Sequence, residues 1–526
     1  MLPATMTGDT TMADANHLIV TLASGQVRGT LVDGMPTWFS IPYGASTAGA
    51  NRFRPPQPVA AWDGVRDATT VANQAPQVRG AYPNRLEVAD FFGKRDASPQ
   101  SEDCLTVTVA TPSTQGKRPV MVWLHGGAFS TGSGNGDYVR PTRLARRDVV
   151  VVNVNHRLNI FGFLDLSAIG GQDFAQSGNA GLLDLVAALQ WVQANIAAFG
   201  GDPSCVTIFG ESGGGAKVST LLAMPMAQGL FHRAIIQSGA AIRHRTPERA
   251  AAVTASALKT LGTQNIATLQ ALPMAELLAA IATIEAEAGP PGHFFFDRYP
   301  FGPMVDGTVL PAHPFDPVAP SLSANIPVML GDTKDEASGF TVADDKIWHR
   351  TLTDAELESR VERLAGPRTA EVMALYRQVL PNDNPAERWI AIMTDAMYRN
   401  RTVVASNRLM QRAGAPIYVY NFAWNSPREG GKLKAPHAVE VPFCFDAVDL
   451  TNVGAAPGQT LSGTMADVWA SFARTGSPQH PSIPHWFPYQ RGTRATMIFE
   501  DKVRITHDPH YSRRRIWSQI TTAEAE

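Results

Sequence analysis

One serine in this chain sits where a hydroxyl can be made into a nucleophile. The β-prone run Val206 to Phe209 leads into Gly210, Glu211, Ser212, Gly213 and Gly214, a G-x-S-x-G pattern followed by a helix-compatible segment. A sharp strand-to-helix turn of this kind holds the serine in strained backbone geometry, its hydroxyl exposed near the positive end of a helix dipole. A larger side chain at Gly210 or Gly214 would strike the adjacent backbone. A second small-residue loop, His125, Gly126, Gly127, Ala128 and Phe129, follows the apolar run Val120 to Leu124. Successive N–H groups in such a loop face one point, which suits an anionic tetrahedral intermediate. The amides of Gly127 and Ala128, with that of Gly213, are the expected donors.

A serine hydroxyl at neutral pH needs a histidine base, and the base needs an acceptor on its other ring nitrogen. Of thirteen histidines, His437 lies in a loop, Lys434 to Glu440, well after the last long strand-like run. Carboxylates follow the run Ile326 to Leu330, at Asp332, Asp335 and Glu336. The chain order is then serine, acid, histidine, and spacing alone leaves the three acids open as alternatives.

These groups need elements to position them. Short β-branched runs bounded by turn residues recur at Pro119 to Leu124, Val149 to Asn155, Val206 to Phe209, Ala234 to Gln237, Ile326 to Leu330 and Pro416 to Tyr420. Between the second and third, Asn179 to Ala198 carries apolar residues at helical spacing. Strand, helix, strand in that order predicts an α/β fold with a mostly parallel central sheet covered on both faces. From Thr246 the texture turns to Ala, Leu and Glu, with Thr246 placed to cap and Pro247 at the first helical position. Thr353 and Glu356 have capping-box spacing. Helical insertions over 246–290 and 353–412 are therefore expected above the strands' carboxyl ends, as walls or a lid over the site. No fixed-period repeat or long linker divides the chain, so residues 1–526 read as one elaborated domain with a loose tail at 1–16.

Composition removes other classes. Apolar residues make up 44% and charged residues 17%, which excludes disorder for most of the chain. Forty-five Lys plus Arg against 47 Asp plus Glu leave a net charge of -2, giving no bulk field for nucleic acid or an anionic membrane. A neutral small molecule fits better as partner. The N-terminal stretch lacks the basic and apolar regions of a secretory signal and reads as cytoplasmic, and no uninterrupted apolar run is long enough to cross a bilayer. Three widely spaced cysteines form no C-x-x-C, and His480 with His485 and His507 with His510 lack the H-E-x-x-H arrangement, so no metal or other cofactor is expected.

From about Leu18 to Trp517 the sequence resembles the type B carboxylesterases, the cholinesterase-like branch of the α/β-hydrolases. The resemblance is carried by ordered segments: Gly25 to Gly29, Ile41 to Gly44, Ser101 to Leu105, His125 to Phe129, Asn155 to Asn159, Phe161 to Phe163, and Asn179 to Asp184. It continues through Phe199 to Pro203, Phe209 to Gly214, Gln237 to Gly239, Lys334 to Glu336 and His437 to Glu440. It implies an α/β-hydrolase fold and a serine carboxylesterase acting on an ester and water: Ser212 as nucleophile, His437 as base then acid, and Glu336 as the orienting carboxylate. Gly127, Ala128 and Gly213 are then the oxyanion donors, with Gly126, Glu211 and Ser238 in support. Lipase and amidase or carbamate hydrolase activities share the same triad and stay open as alternatives. A binding-only relative would lack the nucleophile, which is present here.

The sequence also departs from the family pattern. No cysteine precedes Cys104, so the disulfide that cholinesterases form there is absent, and the short loop from Gln74 to Ser101 offers no match to their choline-stacking tryptophan. Bacterial general carboxylesterases, the p-nitrobenzyl esterases among them, are the closer resemblance. Gly213 stands where alanine is more typical, an exchange expected to change little because the contribution there is a backbone N–H. Phe129 with Phe294, Phe295 and Phe296 are the candidates for an apolar pocket suited to short or medium acyl or aromatic esters. One outcome follows from the missing metal-ligand pattern: millimolar EDTA is expected to leave ester hydrolysis within about twofold of its untreated rate. Abolition of activity with circular dichroism unchanged would overturn this.

Overall fold

The computed structural model describes residues 18–287 and 300–523, apart from 79, 81, 83, 95 and 413. Fourteen strands occur among them: Ile19–Leu22 (β1), Gly25–Arg28 (β2), Thr30–Val32 (β3), Met35–Pro42 (β4), Val65–Asp67 (β5), Thr106–Ala110 (β6) and Arg118–Leu124 (β7). The others are Val150–Val154 (β8), Gly201–Glu211 (β9), Arg233–Gln237 (β10), Val328–Thr333 (β11), Ile417–Phe422 (β12), Ala495–Phe499 (β13) and Arg504–His507 (β14). Eleven of them make one sheet in the order β14-β13-β12-β11-β10-β9-β7-β8-β6-β4-β3, while β1, β2 and β5 form a small separate sheet. Every pair from β8 through β7, β9, β10, β11 and β12 to β13 is parallel. The pairs beyond, on both edges, are antiparallel. All six expected strands are present, at the centre of the sheet; the antiparallel edges are additions to that reading.

Side-chain alternation explains why the central strands read as unbroken apolar runs. Val120, Val122 and Leu124 of β7 point into one buried cluster, and Met121 and Trp123 into the cluster on the opposite face. With helices on both faces, period-two patterning disappears because each side is buried. The helix Ala180–Asn195 covers the first face, continuing as a 3-10 turn to Phe199. The segment Gln172–Phe199 is long and apolar enough, by length and composition, to cross a membrane, but 67% of that window is buried inside the protein. The helix Ala455–Thr475 covers the other face through Met465 and Trp469.

Two helices begin where their caps predicted. Thr246 accepts from the Arg249 amide at the start of the helix Pro247–Thr260, and Thr353 with Glu356 closes a full capping box on Asp354–Ala365. The later helices, including Thr369–Val379 and Pro385–Thr394, share a third buried cluster with Ile516 and Trp517 of the helix Tyr511–Ala523.

A buried ion pair ties the loop after β8 to the first covering helix. Arg157 places Nε 2.8 Å and Nη2 2.6 Å from the two carboxylate oxygens of Asp184, and donates through Nη1 to the Arg54 carbonyl. Neither side chain is more than 1% exposed. Removing one partner of such a pair strands the other charge in a dry interior. Asp184→Asn is therefore expected to lower unfolding free energy by about 3 kcal/mol, read as a reduced urea midpoint; an unchanged midpoint would contradict it.

Candidate active site

The carboxyl edge of the parallel strands carries the site. β9 ends at Glu211, Ser212 follows, and the helix begins at Gly213. One residue makes the whole turn, so Ser212 takes φ 55° and ψ -120°, a conformation an L-residue holds only when its surroundings impose it. The Ser212 amide donates to the Gln237 carbonyl at the end of β10, 2.8 Å away, which pins the elbow to the neighbouring strand. The glycines around it are set by close approach. A Cβ at Gly210 would lie 2.5 Å from the Leu124 carbonyl oxygen, and one at Gly214 only 1.9 Å from it.

The loop His125 to Phe129 leaves β7, the strand next to β9, and folds over the elbow. Ala128 has φ 55°, and the Gly127 carbonyl accepts from the amides of Ser130 and Thr131, so the loop is a tight turn. The N–H groups of Gly127 and Ala128 donate to no group among the described residues. Gly126 lies against Glu211: a Cβ there would be 2.9 Å from its Oε2. At Gly213 the structure differs from the expectation that alanine would serve equally. A Cβ there would fall 2.2 Å from the Ala128 oxygen and 2.5 Å from its nitrogen, so in this chain the loop rests on the glycine itself.

Of the three acids left open by spacing, one lies against His437. Glu336 Oε2 lies 2.6 Å from His437 Nδ1, and its Oε1 accepts from the Ser238 hydroxyl at 2.6 Å and the Thr333 amide at 2.7 Å. Asp332 instead pairs with Arg399 and Asn421, and Asp335 accepts from the Ala435 amide through Oδ2 while its own amide donates to the Ala435 carbonyl. Glu336 is fully buried and His437 is 4% exposed. With Nδ1–H donating to the carboxylate, Nε2 keeps its lone pair. That nitrogen makes no hydrogen bond among the described residues and lies 3.1 Å from Glu211 Oε1. Serine and histidine are thus brought to one site without a hydrogen bond between them, a bond that commonly tightens only when substrate arrives.

Three carboxyls crowd this imidazole and they differ in environment. Burial first, then the charge of Glu336, pushes the Glu211 carboxyl well above the usual range, with Lys217 opposing. Glu440 is also pushed well up, by burial and then by Glu211 and Glu336, and neither of its oxygens has a hydrogen-bond partner among the described residues. Both are held toward the neutral acid, whereas Glu336 collects the donors. The imidazole is also flanked by the rings of Phe340 and Tyr398, at 4.9 and 4.7 Å, the latter from the 353–412 insertion.

Of the pocket residues, Phe129 is buried and packs edge-on against Phe163 at 5.4 Å. Phe294, Phe295 and Phe296 lie outside the described residues. All three cysteines are free, and no cluster of metal-ligating side chains occurs among the described residues. Two residues near the site escaped the sequence reading. Glu440 was legible only as the end of a motif, and Lys217 only as a cation five positions after the serine in an otherwise small and apolar helix.

A model of the carboxylesterase family matches residues 16–517. The chain is 37% identical over 509 residues to the para-nitrobenzyl esterase of Bacillus subtilis, covering 95% of this chain and 98% of that protein. It is 31% identical over 492 residues to the phenmedipham hydrolase of Pseudarthrobacter oxydans, covering 91% and 94%. Among solved structures, a carboxylesterase of Geobacillus stearothermophilus superimposes with a TM-score of 0.81 at 36% identity, covering 95% of this chain and all of that one.

The contact between Gly213 and Ala128 generates a test. Gly213→Ala is expected to push the loop off the elbow and lower kcat for p-nitrophenyl butyrate about tenfold or more, because overpacking displaces the donors. Wild-type kcat in this variant would show that the loop yields freely.

Proposed function

We propose, from the premise that this chain belongs to the carboxylesterase family and is a serine carboxylesterase, that Ser212, His437 and Glu336 perform the hydrolysis, with the amides of Gly127, Ala128 and Gly213 as the oxyanion hole. The observation that carries this reading is the buried 2.6 Å contact between His437 Nδ1 and Glu336, beside a serine in left-handed geometry at a strand-to-helix elbow. The ester carbonyl enters between the serine hydroxyl and the loop amides. His437 Nε2 takes the hydroxyl proton as oxygen attacks, and the charge that develops on the carbonyl oxygen falls on the amides. Collapse expels the alcohol, protonated by the imidazolium, and leaves acyl-Ser212. Water, deprotonated by the same nitrogen, releases the acid.

Glu336 holds the tautomer that leaves Nε2 basic, and Ser238 and the Thr333 amide hold Glu336. Burial pushes the Glu211 carboxyl up, which weakens the negative charge it sets beside the forming oxyanion. Residues 1–526 act as one catalytic unit, since the groups come from loops spread between His125 and His437. Short and medium acyl esters and aromatic esters are the substrate class; a relative named for para-nitrobenzyl esters supports the aromatic part.

The test is hydrolysis of p-nitrophenyl acetate, butyrate and octanoate by the wild type and by Ser212→Ala. Rapid turnover of acetate and butyrate is expected, falling by at least about 10³-fold in the folded variant. Equal rates in both proteins would remove Ser212 from the chemistry, and preference for octanoate at an oil-water interface would move the reading to a lipase.

A further inference from the structure

The helix behind Ser212 carries a lysine with no exposure to solvent. Lys217 Nζ donates to the His125 carbonyl at 2.8 Å, and lies 5.5 Å from the centroid of the Phe129 ring. Those two residues bracket Gly126, Gly127 and Ala128. One side chain from the nucleophile's own helix therefore touches both ends of the loop that bears the donor amides. Between these ends the loop rests on Gly213, closer than a Cβ would permit. A buried lysine costs stability unless its contacts offset the loss of water, so its presence at this spot calls for a role.

We propose that Lys217 is the positioning residue of the oxyanion loop: by holding the His125 carbonyl and the Phe129 ring it fixes the amides of Gly127 and Ala128 over Ser212, and so stabilises the transition state rather than the bound ester. The proposal rests on the oxyanion hole assigned above. Three titratable groups face the lysine: Glu211 at the end of β9, His125 at the end of β7, and His156 after β8. The two imidazoles stack at 4.8 Å and are both pushed well below their usual value, by burial first and by Lys217 next, so they stay neutral. Burial draws the lysine itself down to about 7, with Glu211 opposing. A neutral amine still has N–H groups to donate, so the tie to the carbonyl persists on either side of that value.

The experiment compares wild type with Lys217→Met, which is one atom shorter but similar in volume and carries no donor. Folding is checked by circular dichroism, and Ser212 is counted by the p-nitrophenol burst with diethyl p-nitrophenyl phosphate. For p-nitrophenyl butyrate, kcat is expected to fall about 10- to 100-fold with KM within about threefold. The inhibition constant of phenylboronic acid, whose tetrahedral adduct places an oxygen in the hole, should rise in step with the loss of kcat. If the methionine variant does not fold, Lys217→Gln is read by the same criteria, because its amide is one atom too short to reach the carbonyl. A folded variant with kcat within threefold of wild type overturns the proposal, as does a loss carried by KM with boronate binding unchanged. So does failure of both variants to fold, which would make the lysine structural. The two readings separate cleanly. Turnover lost in Ser212→Ala but kept in Lys217→Met defeats the lysine alone, whereas a wild type without turnover or burst defeats the hydrolase assignment and the lysine with it.

Discussion

The structure depends on a contact between two pieces of backbone. At the carboxyl ends of β7 and β9 the Leu124 carbonyl lies where a Cβ of Gly214 would be, and Ala128 lies where a Cβ of Gly213 would be. No side chain separates the loop proposed to supply the oxyanion donors from the turn proposed to supply the nucleophile. Backbone against backbone leaves few degrees of freedom, and this is how a loop and an elbow can be held to the tolerance that transition-state binding demands. The strained Ser212 conformation is a product of the same contact, since its amide is taken by Gln237 on the other side. Under the proposed assignment the sheet order reads across as chemistry: donors after β7, nucleophile after β9, Ser238 after β10, acid after β11, and base in the segment following β12.

Around that contact the interior manages charge by unequal solvation. Glu336 receives the Ser238 hydroxyl, the Thr333 amide and His437 Nδ1, so its oxygens are met by protein donors rather than by water. Glu211 and Glu440 have no comparable set, and burial drives them toward the neutral acid. A cluster of carboxyls thereby presents its charge where the imidazole can use it. Lys217 offsets Glu211 from the far side, and the Arg157–Asp184 pair anchors the loop that bears His156. From Asp184 through His156 and His125 to the donor amides, each contact is buried, which makes the oxyanion loop an extension of the core.

The central strands, the elbow and the serine-acid-histidine order were legible in the sequence because each leaves a local mark. β-Branched runs mark β7 to β12, and obligate glycines mark the elbow. Strands β3, β4, β6, β13 and β14, outside the six expected, were not recognised, because their partners are fixed by tertiary packing more than by pattern. The choice of Glu336 over Asp332 and Asp335 was equally invisible to spacing, since all three follow one strand and only Arg399 and Asn421 divert the first of them. Resemblance made that choice in advance of geometry. It also suggested that glycine and alanine are interchangeable at 213, which this chain's closer loop does not support.

The spread of the functional groups along the chain has a consequence for proteolysis. His125, Ser212, Glu336 and His437 are supplied by strands that are neighbours in space and hundreds of residues apart in sequence. Residues 125–213 hold the proposed nucleophile and its donor amides, but a fragment that ends before His437 lacks the proposed base. In chain order that base is the last of these groups, so cleavage anywhere between Ser212 and His437 parts the hydroxyl from the nitrogen meant to activate it.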